Sequence, residues 1–177
     1  MINIRQELPK DYTAVEAMIR QTYKKSELGY RGESLLVANL RTSDAFIPEL
    51  SLVAELYGQI VGHILLVKIK ISNANKSIDS LAFGPMSVDP SVQRSGIGSM
   101  LIQEAHQIAK TLGYDSIVLV GHEDYYPKFG YVPASQFGIK FPFEAPDAAC
   151  MAIELVQGAL AEADGVVVYP EPFLAII

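Results

Sequence analysis

The sequence contains few cysteines, few basic residues and no long apolar run, and each shortage excludes a class of protein. Cys150 is its single cysteine, which rules out an internal disulfide and a multi-cysteine zinc site. The 20 acidic residues outnumber the 14 basic residues, for a net charge of −6. This balance argues against nucleic-acid binding, which needs a basic face. An anionic ligand must therefore be held by local positive potential.

Signals for export or membrane insertion are also missing from the sequence. Half of the residues are hydrophobic, yet no apolar run approaches the roughly 20 residues of a membrane span. The longest candidate, 60–67, contains Gly62 and His63. No basic segment followed by an apolar stretch begins the chain, so we expect no signal peptide, no membrane attachment and, by default, a cytoplasmic protein. The 177 residues show no repeat or linker and suit one domain over 1–177 that needs no metal.

Apolar residues at helical spacing predict three helices. Two lie early in the chain, over 12–23 and 34–40, and the third covers 96–112. In the third helix the apolar residues form one stripe, whereas His106 falls on the opposite, polar side. Gly113 then ends this helix in the usual C-terminal manner.

Apolar runs between and after these helices predict the strands of an α/β fold. Their ranges are 2–4, 50–57, 60–71, 78–88, 115–120, 151–155 and 166–169. Gly58-Gln59 is predicted to be a two-residue hairpin turn. The succession of strand, helix and strand between 78 and 120 predicts a right-handed crossover and a parallel pair. We therefore expect a mixed, mostly antiparallel sheet with one central βαβ unit.

The chain ends in an apolar segment, 166–177. Its apolar residues include Val166, Val167, Val168, Phe173, Leu174, Ile176 and Ile177. We expect the segment to pack on the sheet. Packing on a second subunit is the alternative, so the chain is predicted to be a monomer or a homodimer.

A glycine-rich turn precedes the third helix, with the sequence Gln93-Arg94-Ser95-Gly96-Ile97-Gly98. The first turn of a helix carries unpaired backbone N–H groups and partial positive charge. Glycines let an anion approach closely, and Arg94 adds a cationic fork of donors. These features predict a pyrophosphate cradle, and a plain helix-capping turn is the alternative. A Walker A loop is excluded because no Gly-Lys-Ser/Thr follows, and the glycine spacing is too short for a Rossmann fold.

Gly84-Pro85 interrupts the strand predicted over 78–88. Proline cannot donate to a sheet ladder, and a glycine within a strand often marks a bulge. A bulge would splay this strand from the parallel strand 115–120 and leave backbone groups free around Met86 and Val88. An extended ligand with amide groups, such as pantetheine, could fill the gap like an added strand. A pantetheine slot leading to a pyrophosphate cradle fits coenzyme A, whereas an edge-strand proline without a ligand is the alternative.

The glycine turn resembles the Gln/Arg-x-x-Gly-x-Gly/Ala signature of the GNAT acetyltransferase superfamily. The likeness includes the preceding Val88-Asp89-Pro90 and the helix that follows. A second element, Tyr126-Pro127-Lys128-Phe129-Gly130-Tyr131, is similar to the superfamily's Tyr-x-x-x-Gly-Phe, with Tyr131 in place of the phenylalanine. Within the superfamily, 84–130 is similar to the YhbS-like branch of predicted acetyltransferases. The resemblance implies a GNAT-like fold with a splayed parallel strand pair and helices on both faces of the sheet.

The resemblance further implies an N-acetyltransferase that uses acetyl-CoA. An amine, small or on a peptide, would attack the bound thioester directly, without a covalent intermediate on the enzyme. Pantetheine would pair with the backbone of Met86, Ser87 and Val88. The pyrophosphate would be held by the amides and side chains of Gln93, Arg94, Ser95, Gly96, Ile97, Gly98 and Ser99. The family does not fix the acceptor.

Tyr126 occupies the position of the superfamily's general acid, four residues before Gly130. The resemblance implies that its phenol protonates the departing thiolate. The alternative is a core aromatic with a satisfied hydroxyl, as in most buried tyrosines. Tyr125 is expected to pack in the core or to line the acceptor pocket.

The sequence leaves the general base open. An alkylamine has a pKa near 10.4, so about one molecule in a thousand is neutral near pH 7 and some group must accept its proton. The candidates are Glu55, His63, Asp79, His122 and Glu123. His122 and Glu123 follow the strand that should end at the site, but a solvated loop also explains them.

Two other functions stay open at this point. One is a non-catalytic acyl-CoA-binding sensor or regulatory domain, and the other is transfer of a different acyl group. The intact tyrosine motif favours the acetyltransferase, although a fold by itself does not prove a function.

Overall fold

A computed structural model describes residues 1–175, which form three α-helices and ten β-strands. The helices are α1 (Tyr12–Lys24), α2 (Glu33–Arg41) and α3 (Ile97–Thr111). The strands are β1 (Ile2–Gln6), β2 (Ser51–Leu56), β3 (Gln59–Ser72), β4 (Ser77–Phe83), β5 (Ser87–Val88), β6 (Ser116–Val120), β7 (Val132–Pro133), β8 (Ile139–Lys140), β9 (Cys150–Glu154) and β10 (Gly165–Val168). Ile176 and Ile177, named above in the apolar C-terminal segment, lie outside the described residues.

The ten strands form one sheet around the long strand β3. The main order is β1-β2-β3-β4-β6-β9-β7, and β5 and β10 pair with β3 off this path. Neighbours are antiparallel except for β4 with β6, joined across α3, and β8 with β10. The predicted mixed sheet with a central βαβ unit is therefore confirmed. The β8–β10 pair was not predicted, because the two residues of β8 are too few to show a pattern.

Helices cover both faces of the sheet, as predicted. Alternate residues of β2 and β3 point to opposite faces. One face packs under α3 through Leu52, Ile64, Leu66, Ile97, Leu101 and Ala105. The other packs under α1 and α2 through Val15, Ile19, Val37, Leu40, Val53, Leu65 and Val67. Gly62 brings α3 close to β3, because a Cβ there would lie 3.0 Å from the side chains of Ile97 and Leu101.

Two local predictions were wrong. The β2–β3 hairpin turns at Tyr57-Gly58 and not at Gly58-Gln59, because Leu56 pairs with Gln59. Both turn residues have positive φ, 50° and 78°, as a type I′ turn requires, so the strand register places a tyrosine where glycine or asparagine is usual.

His106 also differs from its prediction as part of a polar face. Its side chain is half-buried, and Nε2 lies 2.8 Å from the hydroxyl of Tyr131. Tyr131 is 2% exposed, so its phenol needs a partner inside the protein. The tyrosine that replaces the motif's phenylalanine therefore draws His106 toward the core, and burial lowers the pKa of His106 to about 4.

The described part of the C-terminal segment packs on the sheet, as expected. β10 pairs with the end of β3, and Phe173 is buried in the cluster beneath α1 and α2. Cys150 is a free, buried thiol at the start of β9. Between residues 1 and 175, no helix is both long and apolar enough to cross a membrane.

Candidate active site

The predicted strand 78–88 is broken at Gly84-Pro85, and the break opens the sheet. β4 pairs with β6 through Leu81–Ile117 and Ala82–Val118. After the break, β5 pairs with β3 and not with β6. Gly84 keeps one ladder bond, donating its N–H to the carbonyl of Leu65 at 2.7 Å. A gap therefore opens between β5 and the end of β6, the position predicted for a splayed pair.

Backbone groups of the broken strand face this gap. Asp89 donates its N–H to the carbonyl of Val61 at 2.8 Å. Because bonded and non-bonded pairs alternate along an antiparallel ladder, the next pair, Val88 with Gly62, turns the N–H and C=O of Val88 away from β3. Gln93 Nε2 donates to the carbonyl of Val88 at 3.0 Å. The N–H of Val88 is thus the donor that faces the gap.

Side chains of α1 bind the carbonyls of Met86 and Val88 in this segment. Tyr23 donates its hydroxyl to the carbonyl of Met86 at 3.1 Å, and Thr22 Oγ1 lies 3.3 Å from the carbonyl of Val88. Ser87 is buried, and its hydroxyl has no hydrogen-bond partner within residues 1–175. These contacts of α1 fix the segment beside the gap.

The glycine turn leads directly into α3. The first helical bond runs from the N–H of Met100 to the carbonyl of Gly96 at 3.1 Å, so the N–H groups of Ile97, Gly98 and Ser99 have no intrahelical acceptor. Gly96 has φ 87° and caps the helix. The hydroxyl of Ser95 binds the carbonyl of Val92. These contacts leave three N–H donors at the positive end of a 15-residue helix.

Arg94 adopts an unusual backbone conformation within this turn. Its φ is 66°, one of two positive values among the described non-glycine residues. Such a conformation costs a non-glycine residue about 1–2 kcal/mol. The side chain is exposed and makes no ion pair within the described chain, so its charge is available at the mouth of the turn.

Tyr125 lies on the α3 side of the gap. A Cβ added to Gly98 would stand 2.8 Å from the hydroxyl oxygen of Tyr125. The ammonium of Lys128 lies 4.2 Å from the centre of the Tyr125 ring. Tyr125 therefore covers the start of α3, and it is not among the residues that line the cavity described next.

Tyr126 lines a cavity of about 280 Å³ on the α1–α2 side of the gap. Most of the cavity wall is apolar or aromatic. Its lining residues are Tyr23, Glu33, Leu36, Phe83, Gly84, Pro85, Met86, Val120, Tyr126, Phe143, Tyr169 and Phe173. The two adjacent tyrosines thus face opposite sides of the gap.

The ring of Tyr126 is held by close packing. It makes edge contacts with Phe83, Tyr125 and Tyr131 at centroid distances of 5.7, 5.0 and 6.0 Å. A Cβ added to Gly121 would collide with Tyr126 Cε2. Burial, followed by the nearby phenols of Tyr23 and Tyr125, raises the pKa of Tyr126 well above its usual range. The phenol therefore carries its proton at neutral pH.

The five predicted candidates for the base lie apart from this cavity. Glu55 binds Arg5 at 2.9 Å, and Asp79 binds Lys70 at 2.6 Å on an exposed surface. His122 and Glu123 are exposed in the loop after β6. None of these, nor His63, is among the described residues that line the cavity.

His63 belongs to a buried charged cluster under α1 and α2. Its Nε2 lies 3.3 Å from Ser51 Oγ and 3.6 Å from Glu7 Oε2, the second an electrostatic contact rather than a hydrogen bond. Arg41 donates to the same carboxylate at 2.6 Å and to Glu16 at 2.9 Å. The cluster joins β1, β2, β3, α1 and α2, so its immediate role is structural.

The sequence did not single out Glu33 or Tyr23, which the structure places in the cavity. Glu33 is 8% exposed and begins α2, where an acidic residue also suits the helix dipole. Its Oε2 accepts the N–H of Arg31 at 2.7 Å. Burial and then the charge of Glu33 raise the pKa of Tyr23 to about 12. The sequence did not reveal that Glu33 lines the cavity, because it does not show which cavity the start of a helix borders.

Known proteins are similar to this chain in sequence and in fold. Residues 48–133 match the family described as Acetyltransferase (GNAT) domain. The chain is 32% identical over 120 residues to YjhQ, an uncharacterised N-acetyltransferase of Escherichia coli (strain K12). That match covers 67% of this chain and 66% of the relative, just under two thirds of its length.

Solved structures agree over nearly the whole chain. The GNAT family N-acetyltransferase YhbS of Escherichia coli, solved with CoA, superposes with a TM-score of 0.87 at 25% identity and covers 98% of this chain and 92% of that one. A GNAT family acetyltransferase of Brucella melitensis, solved with acetyl-CoA, gives a TM-score of 0.78 at 28% identity and covers 98% of both chains.

Proposed function

Since the chain belongs to the GNAT acetyltransferase superfamily, we propose that it binds acetyl-CoA and transfers the acetyl group to an amine. One observation carries the proposal: the gap beside β5 has the unpaired N–H groups at the start of α3 on one side and a cavity lined by Tyr126 on the other. A ligand that crosses the gap would have its phosphates at α3 and its acyl end at Tyr126. Bound CoA and acetyl-CoA in the two similar structures support the choice of ligand.

The residues on the α3 side fit the polar half of acetyl-CoA. The free N–H groups of Ile97, Gly98 and Ser99 and the charge of Arg94 suit a pyrophosphate. A Cβ atom on Gly98 would stand 2.8 Å from the hydroxyl oxygen of Tyr125, so glycine is the residue that fits beside these donors. The N–H of Val88 faces the gap and suits an amide carbonyl of pantetheine. Gln93 contributes by fixing the carbonyl of Val88.

The cavity side suits the chemical step. Acetyl-CoA supplies a thioester whose carbonyl carbon forms a bond with the nitrogen of a neutral amine while the bond to sulfur breaks. In this step the nitrogen releases one proton and the sulfur gains one, so the proton transfers balance. Tyr126 keeps its proton at neutral pH and stands where the gap opens into the cavity. We assign it the role of general acid, which donates that proton to the departing sulfur.

Replacing Tyr126 by phenylalanine tests this assignment, because only the hydroxyl is lost. General acid catalysis contributes about 10²- to 10⁴-fold, so kcat should fall within that range while KM for acetyl-CoA changes little. Tyr125→Phe is the matched control and should retain most of its kcat. A loss of kcat in Tyr125→Phe alone would move the acid to Tyr125, and full activity in both would remove the acid role.

A further inference from the structure

The cavity beside Tyr126 has a composition that restricts what can enter it. Its wall is built from five separate parts of the chain: the α1–α2 region, the broken strand, the end of β6 with the Tyr126 segment, the loop after β8 and the segment after β10. The apolar and aromatic side chains include Leu36, Phe83, Met86, Phe143, Tyr169 and Phe173. Ligand sites span about 300–1,000 Å³, so 280 Å³ is near the small end.

Glu33 is the charged residue among the described residues of this lining. Its Oε2 is occupied by the N–H of Arg31 at 2.7 Å, whereas Oε1 has no protein partner within residues 1–175. The residue is 8% exposed, so water screens its charge little. An ammonium group is the complement of such a carboxylate, and apolar carbon is the complement of the remaining wall.

Resting on the proposed acetyl transfer, we infer that the acceptor is a small primary amine with an apolar or aromatic body, and that Glu33 binds its ammonium group. The amine would enter with its nitrogen between Glu33 and the gap and its body against Leu36, Phe143 and Phe173. Glu33 is then a residue that determines specificity and positions the amine, whose nitrogen attacks the thioester after the bound ammonium group has released one proton to water.

The same features disfavour two other amine classes. A polyamine carries several charges, and each additional ammonium would meet aromatic carbon in place of a carboxylate. A peptide would bring several backbone amides to a wall whose polar side-chain groups are the Glu33 carboxylate and three tyrosine hydroxyls, of which that of Tyr23 is bound to the carbonyl of Met86 at 3.1 Å. Either class would leave buried polar groups unpaired.

The test compares three acceptors with the full-length protein and saturating acetyl-CoA. The probes are phenethylamine, spermidine and a tripeptide that ends in lysine. We expect kcat/KM for phenethylamine to exceed the other two by at least about tenfold. Glu33→Gln should raise KM for phenethylamine about 10- to 100-fold, the usual effect of losing a charged hydrogen bond, with the Kd of acetyl-CoA unchanged. Glu33→Asp should recover part of the loss. Glu27→Gln removes a nearby exposed charge outside the cavity and should behave as the unmodified protein.

The outcomes separate the inference from the proposed function. Preference for spermidine or the peptide, or an unchanged KM in Glu33→Gln, overturns the inference and leaves acetyl transfer intact. If no amine causes release of free coenzyme A thiol from acetyl-CoA, the proposed acetyl transfer is wrong. Calorimetric binding of amines to the cavity then tests the inference by itself. Binding of phenethylamine but not of neutral 2-phenylethanol supports the cavity assignment, and equal or absent binding overturns it. If Glu33→Gln does not fold, the acceptor series and this calorimetric pair on the unmodified protein still decide.

Discussion

The hydroxyl oxygen of Tyr125 lies 2.8 Å from the point that a Cβ atom on Gly98 would occupy. Gly98 belongs to the glycine turn, and Tyr125 directly precedes the tyrosine element that begins at Tyr126. Their contact shows that the two motifs meet at the start of α3. Tyr125 thereby covers the α3 side of the gap, whereas Tyr126 lines the cavity.

We expect Gly98→Ala to reveal this contact. Alanine favours a helix by about 1 kcal/mol over glycine, but the added methyl group must displace the Tyr125 hydroxyl. Adding Tyr125→Phe removes that hydroxyl and should restore stability. Urea unfolding of the two single variants and the double variant should give a coupling free energy of about 1 kcal/mol or more. If the stability changes of the two single variants add up to that of the double variant within about 0.5 kcal/mol, the contact is contradicted.

Arg94 gives a second prediction, on cofactor affinity. Loss of its charge in Arg94→Ala or Arg94→Gly should weaken the binding free energy of acetyl-CoA by about 1–3 kcal/mol. Calorimetry should then show a Kd that is about 5- to 150-fold higher. Arg94→Gly should be no less stable than the unmodified protein, because glycine tolerates φ 66°. An unchanged Kd in both variants would mean that the backbone amides hold the pyrophosphate without help.

Gly121 gives a third prediction, on turnover. A methyl group there would push the Tyr126 ring out of its position, so Gly121→Ala should lower kcat about tenfold or more while the Kd of acetyl-CoA stays within about twofold. In a Tyr126→Phe background, the same substitution should lower kcat little further, because both changes act on one hydroxyl. A full second loss in that background would show that Gly121 acts by another route.

The buried cluster around Glu7 predicts a pH dependence of stability. Burial alone would raise the pKa of Glu7, but the neighbouring His63 ring, the Arg41 guanidinium and the Ser51 hydroxyl outweigh it and lower that pKa to about 2. A carboxyl group with a depressed pKa stabilises the fold above its unfolded pKa of about 4.3. This stabilisation, on the order of 3 kcal/mol, should disappear as the pH falls from about 4.5 to about 2.

The difference between the unmodified protein and Glu7→Gln isolates this effect from other carboxylates. At pH 7 the variant should lose about 3 kcal/mol of unfolding free energy, since Arg41 and His63 lose a buried partner. The difference should shrink below pH 4.5. Asp79→Asn, which removes an exposed ion pair with Lys70, is the control and should change stability by less than about 1 kcal/mol. A difference that stays constant from pH 7 to pH 2 would contradict the assigned pKa shift.

The sequence predicted the elements whose pattern repeats locally. The apolar stripe of α3 repeats with the period of a helix, and β2, β3 and β6 are apolar runs typical of strands. Their positions could therefore be inferred from the sequence. The Gly84-Pro85 break was predicted because proline has a direct consequence for a sheet ladder. The roles of residues 86–88 and 93–99 in cofactor binding and of Tyr126 in catalysis stay predictions.

The cavity could not be predicted, because distant segments build it. Tyr23, Glu33, Phe143 and Phe173 come together only when α1, α2 and the loops close over the sheet. The same is true of His63 and Glu7, which lie 56 residues apart, so the sequence did not show which carboxylate His63 meets. Local periodicity contains no information about such long-range partners.

One measurement tests the central claim, that this chain moves an acetyl group from acetyl-CoA to an amine. The unmodified protein is mixed with acetyl-CoA and phenethylamine, and free thiol and acetylated amine are measured together over time. The account predicts steady release of thiol, matched one for one by an amine whose mass has increased by one acetyl group. Stable binding of acetyl-CoA without acetylation of phenethylamine or any other amine tested would contradict it and would favour a non-catalytic acyl-CoA sensor.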